Sequence, residues 1–173
     1  GSLYNNGSGG IFSGGTIDAT TGVFATPAAV SVSLWWNSSN ASAYKGMFEF
    51  YFNGTTKLYA CASDNTSYTN VTAQSLEIVA FYSGANKFIH YSQIPIFDGN
   101  WHHIVWTQSA SATPTYQLYV DNVELYAASK MYIAQAGNVN FPSLSGTFQL
   151  FSEGTPIAYA DNLRVYSRVL SAS

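Results

Sequence analysis

Apolar and polar residues alternate along most of the chain, and turn residues interrupt the alternation at short intervals. In the stretch AVSVSLWW (29–36), two valines, Leu34 and Trp36 alternate with two serines and Trp35. A β-strand turns successive side chains to opposite faces, whereas an amphipathic helix repeats its apolar residues every three or four positions. The alternation therefore predicts a protein built from strands.

Roughly ten strands follow from this pattern, and hairpin signals such as Asn53-Gly54 and Asp121-Asn122 join neighbours. The Gly-rich segment 1–25 is expected to be irregular, with one or two short strands. Because neither a linker nor an internal repeat divides the chain, we expect one domain over residues 1–173, an all-β, antiparallel two-sheet sandwich. The predicted strands are 29–36, 47–52, 56–62, 75–83, 87–94, 101–108, 115–120, 123–128, 146–152 and 158–167.

Two adjacent histidines in DGNWHHIVW (98–106) raise the question of a metal or catalytic site. On a strand, His102 and His103 point to opposite faces, so they cannot bind one metal ion together. A zinc site needs three or four ligands, and the chain adds only one further histidine, His90, and a single cysteine. We predict that His102 is hydrogen-bonded in or at the margin of the core, on the same face as Trp106, and that His103 faces the other way.

The composition narrows the classes of function. Only 9% of the 173 residues are charged, and six Lys+Arg against nine Asp+Glu leave no basic patch for nucleic acid. No apolar run approaches the roughly 20 residues that a membrane span needs, so no membrane insertion is expected. A surface rich in Asn, Ser, Thr and Tyr suits a secreted protein or one on a cell or virion surface, and we expect an extracellular location.

Six Asn-x-Ser/Thr triplets lie in the first half of the chain. They are consistent with N-glycosylation in a secretory route. A polar β-protein rich in Asn and Thr explains them equally well, so both interpretations stay open. The triplets begin at Asn6, Asn37, Asn40, Asn53, Asn65 and Asn70.

Three motifs carry a resemblance to a known family. The stretch FDGNWHHIVWTQSASATPTYQLYVDNVEL (97–125) resembles the central strands of laminin-G-like, pentraxin-like modules of the concanavalin A-like lectin/glucanase superfamily. YADNLRVYSRVLSAS (159–173) is similar to their closing strand, and AVSVSLWWN (29–37) to an early strand. The three motifs occur in the family's order. The resemblance implies a jelly roll of two curved antiparallel sheets, with one concave face.

The chain departs from the family pattern in three places. Asn122 replaces a turn glycine, a position where Asn also tolerates a positive φ. Asn162 replaces the acidic residue that usually follows the aspartate at position 161. The N-terminal segment lacks the family's Asp-rich strand, which weakens the expectation of a calcium site.

The resemblance leaves the function open, because the superfamily holds lectins, glycosidases, adhesion modules and passive domains. Its enzymes carry paired carboxylates on one strand of the concave face. Here every glutamate is isolated in its strand or turn, so we predict no enzymatic activity, although a pair could still assemble across strands. These glutamates are Glu49, Glu77, Glu124 and Glu153.

A binding module fits the residues better. Aromatic side chains suit the flat faces of sugar rings, and amide and hydroxyl groups suit their hydroxyls. Trp35, His103 and Tyr119 fall on the strand faces opposite to the core, and we predict them as ligand-binding residues for a glycan or a surface glycoprotein. The alternative is a structural or surface domain that contacts other proteins without binding sugar.

No motif requires a cofactor, but the resemblance raises a structural Ca²⁺. Asp161 is expected to face the same way as Leu163 and Val165, where a carboxylate needs a partner. That partner is either Ca²⁺, shared with Asp18 and backbone carbonyls, or backbone and tryptophan N–H groups. We favour the second because the acidic N-terminal strand is missing.

Overall fold

The computed structural model describes residues 2–6, 12–17, 29–64, 66–111, 115–137, 146–151 and 157–170. These residues form strands and turns without a helix. The strands are β1 (Leu3–Asn6), β2 (Phe12–Ile17), β3 (Val30–Asn37), β4 (Gly46–Asn53), β5 (Thr56–Ala62), β6 (Ser75–Tyr82), β7 (Ala85–Pro95), β8 (Trp101–Gln108), β9 (Tyr116–Val120), β10 (Val123–Glu124), β11 (Met131–Ala136), β12 (Gly146–Leu150) and β13 (Ile157–Tyr166).

Two antiparallel sheets make up the fold. The six-stranded sheet has the order β1-β13-β3-β8-β9-β10, and the seven-stranded sheet has the order β11-β7-β6-β5-β4-β12-β2. Every strand pair in the described residues is antiparallel. The predicted all-β, jelly-roll sandwich is confirmed.

The core lies between the sheets and is rich in aromatic side chains. Trp36 and Trp106 from the six-stranded sheet and Phe48, Phe50 and Phe88 from the other are at most 1% exposed. The alternation in the sequence predicts eight core positions on the inward faces of β3, β8, β9 and β13, and six of them are at most 2% exposed. These six are Val32, Leu34, Ile104, Trp106, Leu118 and Val120.

The other two predicted core residues, Leu163 and Val165, are only partly buried, although both pack against the core. The cause is their place in the sheet. β1 pairs only with Ile157–Ala160 of β13, so among the described residues no further strand lies beside the second half of β13, which forms a sheet edge there. Because a neighbouring strand covers an edge strand on one side only, Leu163 and Val165 stay partly exposed.

Two local predictions need correction. The strand expected at 123–128 ends at Glu124, because the Glu124 carboxylate accepts hydrogen bonds from the N–H groups of Tyr126 (3.0 Å) and Ala127 (2.7 Å) and closes a turn. β11 was not predicted, because four of its six residues are exposed and leave no burial pattern. The turn before β10 has Asp121 and Asn122 at φ 51° and 67°, as expected for Asn in place of glycine.

A β-bulge interrupts β13 at Asn162. Asp161 lies opposite Trp35 and Arg164 lies opposite Ser33, so two residues of β13 face one residue of β3. Asn162 adopts a φ of 49°, a left-handed conformation that asparagine tolerates. The expectation that Asp161 shares a face with Leu163 and Val165 was therefore wrong, because the extra residue reverses the alternation.

Candidate functional site

The outer face of the six-stranded sheet, turned away from the core, brings two predicted residues together. Trp35 of β3 lies directly opposite His103 of β8, and their rings stack with centroids 5.1 Å apart. His103 Nε2 also lies 3.1 Å from the Ser33 hydroxyl oxygen, which fixes the orientation of the imidazole. Trp35 keeps 39% of its surface exposed, so its indole is available to a ligand.

The third predicted residue, Tyr119, lies on the same face but further from Trp35. Tyr119 lies on β9 and pairs with Val105 of β8, and β8 in turn pairs with β3. Two depressions lie beside Trp35, and Tyr119 is not among the described residues that line them. Its role in ligand binding stays a prediction.

Two open depressions flank Trp35. The Asp161 depression has a volume of about 250 Å³, and the Arg164 depression has a volume of about 340 Å³. Trp35 and Asn162 belong to both, so they form the wall between them. The Asp161 depression is lined by Trp35, Trp101, Asp161 and Asn162, and the Arg164 depression by Ser33, Trp35, His103, Asn162, Arg164 and Tyr166.

Exposed aromatic rings continue the face beyond Trp35. Trp101 is 44% exposed, Tyr159 41% and Tyr4 54%. Tyr4 and Tyr159 pair across β1 and β13 and stack at 4.5 Å, and Tyr159 lies 6.3 Å from the Trp101 ring. Together with Trp35 these residues form an aromatic stripe, which was not predicted from the sequence. Alternation along β8 does place Trp101 on the same face as His103. Tyr4 and Tyr159 could not be added to that face, because β1 and β13 come from opposite ends of the chain and their pairing has no local signal.

His102 faces the margin of the core and connects two turns. Its Nδ1 lies 2.7 Å from Asp121 Oδ2, and its Nε2 lies 3.1 Å from Asp98 Oδ1. Burial opposes the charged form of His102, but the two carboxylates outweigh that effect and raise its pKa. This agrees with the predicted structural role, and the two adjacent histidines do face opposite ways.

A carboxylate pair assembles on the outer face of the seven-stranded sheet, where the sequence showed only isolated residues. The Asp64 N–H donates to Glu77 Oε2 at 3.5 Å, and the Tyr91 hydroxyl donates to Glu77 Oε1 at 3.4 Å. The pKa of Glu77 is raised to about 7, mainly by burial and in addition by the nearby Asp64 charge. The Tyr44 hydroxyl donates a short hydrogen bond to Asp64, which raises the pKa of Tyr44 to about 12.

Two carboxyl groups side by side are the elements of general acid–base chemistry. Glu77 is only 3% exposed, however, and Tyr68 covers this region by stacking on Tyr132 at 4.2 Å and on Tyr91 at 5.5 Å. The arrangement holds the turn segment before β6 against the sheet. Of the other glutamates, Glu49 lies 3.6 Å from the Lys57 ammonium, and Glu153 lies outside the described residues.

The structure places Asp161 on the outer face, with its carboxylate accepting the Asn162 N–H at 2.7 Å. Asp18, the second predicted calcium ligand, lies outside the described residues. Within the described ranges, no three His, Cys, Asp or Glu residues come close enough to hold a metal ion. The Asp161 carboxylate alone falls short of the six to eight oxygens that Ca²⁺ requires.

The fold defines a two-sheet sandwich of the lectin type, and sequence comparison identifies the family. A laminin-G family model, described as the concanavalin A-like lectin/glucanases superfamily, matches residues 9–173. The chain belongs to this superfamily, as its three motifs indicated. No curated protein sequence matches the chain significantly.

Several solved structures share the fold at low identity. Domain 4 of AbnA, a GH43 extracellular arabinanase of Geobacillus stearothermophilus in complex with arabinotriose, has a TM-score of 0.63 at 14% identity, over 99% of this chain and 84% of that one. The heptameric SAP-like pentraxin of Limulus polyphemus has a TM-score of 0.60 at 11% identity, over 99% and 77%. Domains LG4-5 of mouse laminin α1 give 0.57 at 10% identity, over 99% and 44%.

The described part of the chain includes no helix that is long and apolar enough to cross a membrane.

Proposed function

We propose that this domain is a non-catalytic carbohydrate-binding module that works outside the cell. It binds a glycan on the outer face of the six-stranded sheet. The observation that carries the proposal is the aromatic stripe, in which Trp35, Trp101 and Tyr159 expose at least 39% of their surfaces beside two depressions. Exposed rings of this size on a rigid sheet cost free energy in water and are typical of binding surfaces.

The polar groups around the stripe suit a sugar. The apolar face of a sugar ring stacks on an indole, while its hydroxyl groups need donors and acceptors at the rim. Asn162, Ser33 and Tyr166 supply such groups beside Trp35. The fold relative in AbnA, whose structure contains arabinotriose, also supports an extracellular sugar-binding role.

The absence of catalysis is part of the proposal. The Asp64–Glu77 pair lies on the other sheet, away from the aromatic stripe, and Glu77 is almost completely buried. A carboxylate that hydrolyses a glycosidic bond must reach the scissile oxygen. We therefore expect no release of reducing ends from any polysaccharide, and release that stops in Glu77→Gln would contradict this.

A glycan array followed by calorimetry tests the binding site. Trp35→Ala should weaken binding of the best glycan by about tenfold or more, because stacking on the indole is lost. Tyr51→Ala is the matched control, since Tyr51 is 38% exposed but lies on the seven-stranded sheet. Equal loss in both variants, or no glycan binding at all, would refute the proposal. Silence on the array together with self-association would favour the protein-contact alternative.

A further inference from the structure

The two depressions beside Trp35 differ in charge. Asp161 lines one of them and Arg164 lines the other, while Trp35 and Asn162 stand between. The bulge at Asn162 creates this difference, because it turns both Asp161 and Arg164 to the outer face. A ligand lying across Trp35 therefore meets an anion on one side and a cation on the other.

Arg164 is available to a ligand. It is exposed, and within the described part of the chain it forms neither an ion pair nor a hydrogen bond. The guanidinium presents its N–H donors in a planar fork that matches a carboxylate. The second arginine, Arg168, lies over the Tyr166 ring at 5.4 Å and adds positive charge at the same end.

We propose that the glycan bound at this face is acidic, with a uronic acid carboxylate paired to Arg164 and a neutral sugar on the Asp161 side of Trp35. This inference rests on the proposed function and adds the class and direction of the ligand. A carboxylate placed in the opposite direction would lie beside Asp161 and be repelled. The chain's net charge of −3 otherwise disfavours anions, so any preference for an acidic sugar must arise locally.

The experiment compares oligosaccharides that differ only in the carboxylate. Suitable pairs are short neutral oligosaccharides of glucose, mannose or galactose and the same oligosaccharides with one terminal residue oxidised to the uronic acid, so that a neutral sugar remains on the Asp161 side. Each pair is titrated calorimetrically against the unmodified domain, Arg164→Gln and Arg168→Gln. In the best-bound pair the uronate should bind about tenfold more tightly, and the difference should shrink in high salt.

Arg164→Gln should reduce this preference to about twofold or less without weakening the neutral partner, because only the carboxylate contact is lost. Arg168→Gln should keep most of the preference. If neutral sugars bind and depend on Trp35 but the uronates bind no better, this inference is wrong and the proposed function stands. A preference that survives Arg164→Gln also overturns it. If neither member of any pair binds, this inference is overturned, and the glycan array decides the proposed function separately.

Discussion

The His102 imidazole joins two turns of the six-stranded sheet, with its Nδ1 2.7 Å from a carboxylate oxygen of Asp121. Asp121 also accepts the backbone N–H of His103 at 2.9 Å through its other oxygen, and Asp98 holds the second imidazole nitrogen. The histidine pair that first suggested a metal site is thus divided between two tasks. One ring secures the loops at the sheet's end, and the other supports Trp35 on the outer face.

Replacing His102 should destabilise the fold. His102→Ala leaves Asp121 and Asp98 without their shared partner, and we expect a loss of about 1–3 kcal/mol in the free energy of unfolding. His103→Ala should reduce the free energy of unfolding by less, because the His103 imidazole contacts the Ser33 hydroxyl rather than two carboxylates. Urea denaturation at pH 6 compares the two variants, and equal losses would contradict the role assigned to His102.

The His102 contribution should also depend on pH. Its folded pKa is raised, so the stabilisation is fully present below the ordinary histidine pKa and is lost as the pH rises through the folded pKa. The stability difference between the parent and His102→Ala should therefore shrink toward alkaline pH. A difference that is constant from pH 5 to about 9 would show that the ion pairs contribute nothing.

Glu77 predicts a pH dependence of its own. Its pKa rises from 4.5 to about 7 on folding, so the folded state holds the proton more tightly than the unfolded chain. The free energy of unfolding should fall as the pH rises through this window, by up to about 3 kcal/mol relative to Glu77→Gln.

Two comparisons make this measurement specific. Burial lowers the pKa of His90 to about 4, so His90 removes stability as the pH falls, and only the difference between parent and Glu77→Gln isolates the glutamate. Asp64→Asn removes the neighbouring charge and should reduce the slope in part, since burial remains the larger cause. Identical pH profiles for the parent and Glu77→Gln would contradict the buried, protonated state.

The two tryptophans on opposite faces of the six-stranded sheet should respond differently to truncation. Trp106 is fully buried, and Trp106→Ala should cost about 3–5 kcal/mol. Trp35→Ala removes an exposed ring and should cost well under half of that, while it weakens the proposed glycan binding by about tenfold or more. Thermal melts measure both effects. If Trp106→Ala melts within a degree or two of the parent, the face assignment is wrong.

Calcium is tested by melting the protein in excess chelator and then with added Ca²⁺. We expect little change, because Asp161 is bonded to the Asn162 N–H and lies on the outer face. The control is Asp161→Asn under the same conditions. A rise of several degrees with Ca²⁺ that disappears in this variant would establish a metal site.

The strands and their faces could be predicted from the sequence because side-chain direction alternates strictly with position. That alternation places Trp36 and Trp106 on the faces turned to the core and Trp35 and His103 on the opposite faces, as the structure has them. The direct contact between Trp35 and His103 depends on the register of two distant strands, which alternation does not fix.

The contact between Asp64 and Glu77 and the bulge at Asn162 have no signal in the local sequence pattern. Asp64 and Glu77 meet because the turn between β5 and β6 folds over the sheet, and their spacing in sequence resembles no catalytic pattern. The bulge at Asn162 misled the prediction for Asp161, because a positive φ at a single asparagine is invisible to a two-residue period.

The extra residue in β13 gives the proposed binding face a way to change that the core does not share. Ala160 and Val165 pack inward on either side of the bulge, and excision of Asn162 would leave a regular strand with both still inside. Such a deletion should yield a stable protein in which Trp35 alone separates the two depressions. Ligand preference in this architecture can therefore evolve through insertions and deletions within a strand, a route normally reserved for loops.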